Sequence, residues 1–233
     1  MIQSSSEIIT PSEDFDYIGV VDISPVPRYL INTHDPITQD QHHHVSAAVH
    51  HEKTVPWDSN VWDKIVALTQ GSALEKDSSM DRVFVDVGAN IGYFSLAAAA
   101  LGYKVVAFEP TSIHAKKLAK SIELNTFEHP VTLYQNTVSD VGDHGENTVA
   151  LSDILDGMDA YILKIDVEED GDATKVLSGA KQWIHDRKVQ HIIMKLSDSN
   201  SHVSEMMNEA GYEMKDEGQN STLGRDILFS LKE

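Results

Sequence analysis

Two acidic residues and a glycine turn stand where a ligand with a ribose could be held. The stretch FVDVGANIG places Asp86 at the end of an apolar run and Gly88 and Gly92 in the turn that follows. A strand that ends in a glycine turn before a helix brings backbone N–H groups to the ligand-binding edge of a sheet. Glu109 ends the next apolar run, where nucleotide-binding sheets place an acid that accepts hydrogen bonds from two ribose hydroxyls.

The centre of the glycine turn argues against a dinucleotide. Between its two glycines the turn reads Ala89, Asn90 and Ile91, so the G-x-G-x-x-G fingerprint is absent. The carboxylate of Asp86 also disfavours a nearby pyrophosphate and suits an ammonium group. A ligand with a ribose and a cationic part is therefore expected, which favours S-adenosylmethionine over a nicotinamide cofactor. In the alternative interpretation, the two acids only cap neighbouring helices.

The pattern from Arg82 onward predicts a mostly parallel sheet, because apolar runs of strand length alternate with helical stretches. The predicted strands are RVFVD, KVVAFE, VTLYQNTV, YILKID, VQHIIMKL, Tyr212–Lys215 and Asp226–Leu231. The predicted helices between them are GYFSLAAAALG, SIHAKKLAKSIELN, DATKVLSGAKQWIH and His202–Ala210. The expected fold is α/β, with a doubly wound, mostly parallel seven-stranded sheet of the Rossmann-like type and an N-terminal extension.

The extension is expected to be separate from the sheet. Residues 1–56 show no long periodicity and are interpreted as an arm or lid, whereas residues 57–233 form the cofactor-binding domain. The segment Asp58–Thr69 begins with a capping residue and places Val61 and Ile65 on one face. This pattern predicts an amphipathic helix that packs on the sheet.

Composition narrows the expected partners and location. The chain has 37 Asp and Glu against 18 Lys and Arg, a net charge of −19 that repels phosphate backbones and anionic membranes, so neither nucleic acid nor membrane is expected. Cysteine is absent, which excludes disulfides and thiolate chemistry. The N-terminal stretch lacks the pattern of a secretory signal, and no run approaches the ~20 apolar residues of a membrane span. A soluble, intracellular and cytoplasmic protein is expected, and the sequence does not indicate its oligomeric state.

Three segments resemble the motifs of one enzyme family. VFVDVGANIGYFSLAAAALGYKVVAFEP (Val83–Pro110) is similar to the first two motifs of the FkbM family of S-adenosylmethionine-dependent methyltransferases. LKIDVE (Leu163–Glu168) and VLSGA (Val176–Ala180) resemble the family's later signature. The similarity extends from about Trp57 to the end of the chain. It implies a class I methyltransferase fold with S-adenosylmethionine as the cofactor.

The resemblance also implies roles for individual residues. It places around the methionine part of the cofactor the turn residues Asp86, Gly88, Ala89, Asn90 and Gly92. It assigns the ribose hydroxyls to Glu109. The stretch NTVSDVG looks like the family's loop after the third strand, which places Val138, Ser139 and Asp140 beside the adenine. Asp140 could accept a hydrogen bond from the adenine amino group, or it could be a turn residue.

Two departures from the family pattern fall at the mouth of the expected site. The stretch after Glu168 is two residues longer than in the family, so Asp172 is not a secure equivalent of the second family glutamate, and the segment Glu169–Asp172 is expected to reshape the loop. Lys195 ends the fifth strand near a place where related sequences often carry an acid.

Methyl transfer to a hydroxyl needs an aligned acceptor and a base or metal that removes its proton. Asp166, at the carboxyl end of the fourth strand, is the first candidate for the base, and Glu168 and Lys164 are the next. All three could instead form an ion-paired structural cluster. The chain reads KIDVEED where amino-methylating enzymes of this fold often carry Asn-Pro-Pro-Tyr or Asp-Pro-Pro-Tyr. The pattern therefore favours O-methylation, with a small molecule or a sugar as the expected acceptor.

Two metal hypotheses stay open. By resemblance to catechol-type enzymes, Asp166, Asp198 and Asn200 could hold magnesium through oxygen ligands. Five of the twelve histidines lie in HHHVSAAVHHE, from His42 to His51, where they could bind zinc, act as a base from a lid, or form a polar surface segment. The competing hypothesis to an enzyme is a catalytically silent module that binds S-adenosylmethionine or responds to a metal.

Overall fold

Strands and helices alternate along the chain as the apolar runs predict. The structure, a computed structural model, describes residues 17–35, 44–51, 56–71, 82–140, 147–167, 170–186, 188–196, 201–216 and 225–232. Its strands are β1 (Tyr17–Val21), β2 (Tyr29–Thr33), β3 (Val83–Val87), β4 (Lys104–Phe108), β5 (Val131–Tyr134), β6 (Thr137–Val138), β7 (Thr148–Val149), β8 (Ala160–Ile165), β9 (Val189–Leu196), β10 (Tyr212–Asp216) and β11 (Arg225–Leu231). Its helices are α1 (His44–His51), α2 (Ser59–Gly71), α3 (Tyr93–Ala100), α4 (Ser112–Asn125), α5 (Leu151–Ile154), α6 (Asp170–Gly179), α7 (Lys181–His185) and α8 (Ser201–Glu209).

Seven of these strands form the central sheet, in the order β10-β11-β9-β8-β3-β4-β5. The five strands from β9 to β5 in that order are parallel, and β11 runs antiparallel between β9 and β10. The predicted fold class is confirmed. The chain runs from β3 outward to β5 and then returns to β8 on the other side of β3. This reversal opens a crevice at the carboxyl ends of β3 and β8, where open α/β sheets bind their ligands.

Apolar side chains cover both faces of the sheet. Successive residues of β3 point to opposite faces, so Phe84 packs in the core with α3 and α4, whereas Val85 and Val87 pack in the core with α6 and α7. Burial of each such side chain contributes about 1.5–3 kcal/mol. Asp86 lies on the face of Phe84, which directs its carboxylate toward α3.

The segment ahead of the sheet packs onto α4. Strands β1 and β2 form an antiparallel pair, and Ile31 and Val45 share one core with Leu118. The Asn125 side chain accepts the N–H of Leu30 at 2.8 Å and donates to its carbonyl at 2.6 Å. An amide side chain thus closes the outer edge of β2 as a further strand would. The division of the chain at residue 56 stays a prediction.

Two predicted elements are interrupted. The strand predicted over VTLYQNTV ends at Tyr134, and β6 pairs instead with β7. The Asn136 side chain donates to the Asn147 carbonyl at 2.9 Å, a local bond that competes with the sheet. The helix predicted over DATKVLSGAKQWIH divides at Ala180, next to Gly179, a residue type of low helix propensity.

Among the described residues, no helix has the length and apolar character that a bilayer crossing requires.

Candidate active site

The crevice above β3, β4 and β8 has two adjoining lobes that share part of their lining. The larger lobe, of about 500 Å³, contains Glu109, and the smaller lobe, of about 330 Å³, contains Lys195. The residues that line both lobes, and so mark their junction, are Val45, Trp57, Gly88, Asn90, Asp166 and Val167. A ligand in the larger lobe and a second one in the smaller lobe would meet at these residues.

Glu109 is hydrogen-bonded on both carboxylate oxygens. Its Oε2 accepts the N–H of Asn90 at 2.7 Å, and its Oε1 accepts the N–H of Thr111 at 2.9 Å and lies 3.5 Å from His114 Nδ1. Burial raises the pKa of Glu109, but the bonds from His114, Thr111 and Asn90 outweigh burial, so the pKa is lowered overall. The carboxylate is therefore ionised at neutral pH. A carboxylate offers about four lone-pair sites, which leaves capacity for ligand hydroxyls.

Asp86 lies beneath the crevice and lines neither lobe. It is fully buried, its Oδ2 accepts the Ser95 hydroxyl at 2.6 Å, and its Oδ1 accepts the Lys164 ammonium at 2.9 Å. Asp86 and Lys164 are cross-strand neighbours in the parallel pair of β3 and β8, so their side chains lie on one face. The sequence pattern predicted that Asp86 binds the cationic part of a ligand. In the structure its carboxylate binds the ammonium group of Lys164.

The two turn glycines make room for protein atoms. Both have left-handed backbones, with φ of 77° at Gly88 and 94° at Gly92. A Cβ at Gly88 would lie 2.0 Å from the Asp166 carbonyl oxygen, and a Cβ at Gly92 would lie 2.2 Å from Leu118 Cδ1. Gly92 lines neither lobe, so its lack of a side chain serves the packing of α3 on α4 and not the approach of a ligand. The other two predicted turn residues do reach the crevice: Asn90 lines both lobes and Ala89 lines the smaller one.

Asp166 is held between two lysines at the junction. Its Oδ2 lies 3.9 Å from Lys164 Nζ, and its Oδ1 lies 3.5 Å from Lys195 Nζ. Lys195 Nζ also lies 3.2 Å from Asp58 and 3.9 Å from Asp226. Burial lowers the pKa of both lysines, but the neighbouring carboxylates outweigh burial and raise it overall. Both lysines stay protonated, so Lys164 belongs to the ion-paired cluster and Asp166 keeps the role of candidate base.

Part of the wall of the larger lobe is apolar. Phe108 and Val138 line it, and the Phe108 ring stacks on Tyr134 with 5.1 Å between centroids. Ser139 lines the same lobe, whereas Asp140 is exposed, lines neither lobe and accepts the Ser139 hydroxyl at 3.0 Å. Such a wall suits a planar heterocycle with a polar edge.

Residues ahead of the sheet close one side of the crevice. Trp57 and Val45 line both lobes, and His44 lines the larger one. The Trp57 ring lies 5.7 Å from Phe94 and 6.1 Å from Tyr93, and its backbone N–H donates to the Tyr93 hydroxyl. Sequence reasoning did not assign Trp57, Asp58, His114 or Asp226 to the site. The one local signal is that Trp57 and Asp58 stand directly before a predicted helix.

Several candidates from the sequence lie outside the described residues, namely Glu168, Asp198, Asn200, His42 and His43. In the parts of the chain that the structure describes, no group of three or more His, Cys, Asp or Glu is arranged to hold a metal ion. His50 Nε2 instead lies 2.9 Å from Thr33 Oγ1. The role of Glu168 and both metal hypotheses stay predictions.

Comparison with known proteins identifies the fold. No family model matches the chain. Over 84 residues the chain is 36% identical to a ribosomal protein L11 methyltransferase from Bacillus pumilus (strain SAFR-032), a match that spans 36% of this chain and 27% of that relative. The METTL16 MTase domain has a TM-score of 0.52 and 16% identity, over 77% of this chain and 70% of that domain. Magnesium protoporphyrin IX methyltransferase (ChlM) from Synechocystis PCC 6803, solved with bound SAM, has a TM-score of 0.53 and 13% identity, over 74% and 78% of the two chains. The fold is that of the class I S-adenosylmethionine-dependent methyltransferases.

The expected partners need correction. A further similar structure, with a TM-score of 0.52 and 12% identity over 76% of this chain and 71% of that chain, is the hMettl16 catalytic domain in complex with the MAT2A 3'UTR hairpin 1. The sequence relative, in turn, bears the name of a ribosomal protein methyltransferase. The expectation of a small-molecule or sugar acceptor, with nucleic acid excluded, is therefore wrong. The exclusion of nucleic acid failed because a net charge of −19 describes the whole chain and not the crevice, whose lining includes Lys164, Lys175 and Lys195 beside Glu109 and Asp166.

Proposed function

We propose that this chain is an S-adenosylmethionine-dependent methyltransferase of the FkbM type that methylates an oxygen atom of a macromolecule. The observation that carries the proposal is the position of Asp166. Asp166 lines the junction between the lobe that contains Glu109, the proposed ribose-binding acid, and the smaller lobe, the proposed acceptor site. The motif VFVDVGANIGYFSLAAAALGYKVVAFEP supports the family assignment.

The larger lobe is the proposed cofactor site. Glu109 is ionised and has lone pairs for the two ribose hydroxyls, while Phe108 and Val138 offer apolar surfaces to the adenine. Gly88 and Asn90 lie at the junction end, beside Asp166. When bound, S-adenosylmethionine supplies an electrophilic methyl group on a positively charged sulfur. Asp166 also lines that end of the lobe, and its carboxylate stabilises positive charge there.

The smaller lobe holds the acceptor. Asp166 takes the proton of the acceptor hydroxyl, and Lys164 and Lys195 stay protonated because of their carboxylate partners. The absence of an Asn-Pro-Pro-Tyr box supports oxygen over nitrogen. The names of the compared proteins, which include a ribosomal protein methyltransferase and a complex with an RNA hairpin, support a macromolecular acceptor.

Two measurements test the proposal in sequence. Calorimetric titration with S-adenosylhomocysteine is expected to give micromolar binding. Tritiated S-adenosylmethionine is then incubated with protein and RNA fractions of the native host, using wild type, Asp166→Asn and Asp159→Asn. Asp159 is an exposed residue paired with Lys188, so its variant controls for the change of charge.

The outcomes separate the parts of the proposal. Label on protein or RNA that is lost in Asp166→Asn and kept in Asp159→Asn would support all of it, with hydrolysis of the product showing whether oxygen or nitrogen carries the methyl group. Label confined to a low-molecular-mass fraction would contradict a macromolecular acceptor. Binding of S-adenosylhomocysteine without transfer to any fraction would favour the catalytically silent module.

A further inference from the structure

Three carboxylates surround the ammonium group of Lys195. The distances from Lys195 Nζ are 3.2 Å to Asp58 Oδ2, 3.5 Å to Asp166 Oδ1 and 3.9 Å to Asp226 Oδ1. The four side chains are mostly buried, with exposed fractions between 5% for Asp226 and 22% for Asp166. Lys195 therefore serves as the resident cation of a carboxylate cage, defined by Asp58, Asp166 and Asp226, that opens onto the smaller lobe.

The cage is built from three separate parts of the fold. Asp226 and Lys195 are cross-strand partners in the antiparallel pair of β11 and β9. Asp166 follows β8 directly. Asp58 precedes α2, where its Oδ1 accepts the N–H of Val61 at 3.4 Å while its Oδ2 faces Lys195. The cation thus joins β11, the carboxyl end of β8 and the start of the helix next to Trp57.

Removal of the cation would leave acidic groups facing one another. Like charges at this separation cannot all stay ionised and in place, because each disfavours the ionised form of the others. Lys164 cannot substitute for Lys195, because its shortest ion pair, at 2.9 Å, is with Asp86, and it lies 3.9 Å from Asp166. Lys195 is the nearer cation to Asp166 and contacts the oxygen that Lys164 does not.

We propose that Lys195 is a positioning residue of the active site: as the resident cation of the carboxylate cage, it holds the Asp166 carboxylate in place at the junction of the two lobes. The part that concerns Asp166 as a base rests on the proposed function, whereas the cage does not. Lys195 acts through Asp166 and takes no proton itself. Its second effect is to fasten Asp58, and with it the Trp57 side of the crevice, to the sheet.

The first test asks whether the cage selects an alkylammonium ion. Lys195→Ala removes a propylammonium group and keeps Cβ, so n-propylammonium at 50 mM is the matched probe and n-propanol is its uncharged control. Lys188→Ala removes an exposed lysine that pairs with Asp159 and matches the change of charge. The ammonium probe is expected to raise the unfolding midpoint of Lys195→Ala more than that of wild type or Lys188→Ala, and the alcohol is not. Equal responses of Lys195→Ala and Lys188→Ala would overturn the cage.

The second test reads the charge at the junction and does not need the acceptor. Sinefungin carries an ammonium group where the cofactor carries its methyl group, and S-adenosylhomocysteine has no charge there. The ratio of the two affinities therefore reports the electrostatic potential at the junction. At pH 8.5, Lys195→Met is expected to raise this preference for sinefungin by at least about threefold, because it removes a positive charge beside Asp166. Lys195→Arg is expected to keep the wild-type ratio. An unchanged ratio in Lys195→Met would overturn the positioning role.

The two tests separate this inference from the proposed function. If wild-type protein binds neither analogue, the proposed function is contradicted. The n-propylammonium experiment would then still decide whether Lys195 is the resident cation of the carboxylate cage. Wild-type protein that binds both analogues, with an unaltered ratio in Lys195→Met, would leave the proposed function standing and remove the role of Lys195. If Lys195→Ala does not fold, its recovery of a cooperative unfolding transition in n-propylammonium, but not in n-propanol, is the supporting result, and no recovery is the opposing one.

Discussion

Asp86 Oδ1 and Lys164 Nζ lie 2.9 Å apart on neighbouring parallel strands, and both side chains are shielded from solvent. The other Asp86 oxygen accepts the Ser95 hydroxyl, and the Lys164 ammonium also lies over the Phe94 ring and 3.4 Å from the Gly88 carbonyl. The pair therefore anchors the first residue of the glycine turn from below. Burial of two charges is tolerated here because each has its partner and further polar contacts.

Breaking this pair on one side is expected to destabilise the protein strongly. Lys164→Met should lower the free energy of unfolding by about 3–5 kcal/mol, because it leaves the Asp86 carboxylate buried without a cation. The double variant Asp86→Asn/Lys164→Met should recover most of that loss. Urea unfolding measures both, and Lys120→Met, at an exposed pair with Glu123, should change stability by less than about 0.5 kcal/mol. A loss below about 1 kcal/mol in Lys164→Met would contradict the account.

Glu109→Gln is expected to weaken S-adenosylhomocysteine binding by roughly 10- to 100-fold. The amide has one acceptor oxygen where the carboxylate has two, and its NH₂ group would face a backbone N–H of Asn90 or Thr111. Calorimetry checks this, with the exposed Glu123→Gln as the control of equal charge. Because the pKa of Glu109 is lowered in the folded protein, its carboxyl group is ionised throughout the range from pH 8 to pH 5. The effect of the substitution should thus be undiminished from pH 8 to pH 5, and a difference that vanished at pH 5 would argue against an ionised Glu109.

Asp226 is expected to make stability fall as the pH rises. Burial, followed by the Asp58 charge, raises the pKa of Asp226 to about 6. A carboxyl group with a raised pKa binds its proton more tightly in the folded state, so its contribution to stability is present below the unfolded pKa and is lost as pH rises toward 6. Relative to wild type, Asp226→Asn should gain about 1 kcal/mol between pH 5 and pH 7.5 in urea unfolding. A relative stability that is independent of pH would rule out the raised pKa.

Trp57 should report ligand binding by its fluorescence. It lines both lobes, whereas Trp183 is buried on the other face of the sheet and donates its indole N–H to the Met158 carbonyl. The third tryptophan, Trp62, packs on Tyr93 near the smaller lobe, so the test uses Trp62→Phe/Trp183→Phe, in which Trp57 is the remaining tryptophan. S-adenosylhomocysteine is expected to change the emission of this double variant. An unchanged emission, with binding shown by calorimetry, would place the ligand away from the junction.

Local patterns were sufficient to predict the sheet and the acid of the larger lobe. The length of the apolar runs, the glycine turn and the acid at the end of β4 are each visible within a few residues, and parallel strands bring their carboxyl ends to one edge. Glu109 accordingly lies in the larger lobe, and α2 begins next to Asp58 and buries Val61 and Ile65.

Long-range register could not be predicted in the same way. Asp58 and Lys195 are 137 residues apart, and their contact depends on where α2 docks against β11, the neighbour of β9. Asp86 lies beside Lys164 because β3 pairs with β8 in a particular register. The presence of a glycine in a turn also does not predict which atom occupies the space where its side chain would be. At Gly92 that atom belongs to Leu118. Charge counted over the whole chain is equally silent about the few groups that line a crevice.

The amide of Asn125, which closes the outer edge of β2, joins parts of the chain that are made at different times. Leu30 precedes Asn125 by 95 residues, so the ribosome releases β1 and β2 well before α4 exists. An isolated two-stranded hairpin is marginally stable in water, and its partner arrives only with α4. At about 5–20 residues per second, the delay is roughly 5–20 s. During that interval the edge of β2 that Asn125 covers in the folded chain is open, and an unpaired strand edge is a template on which another chain can pair.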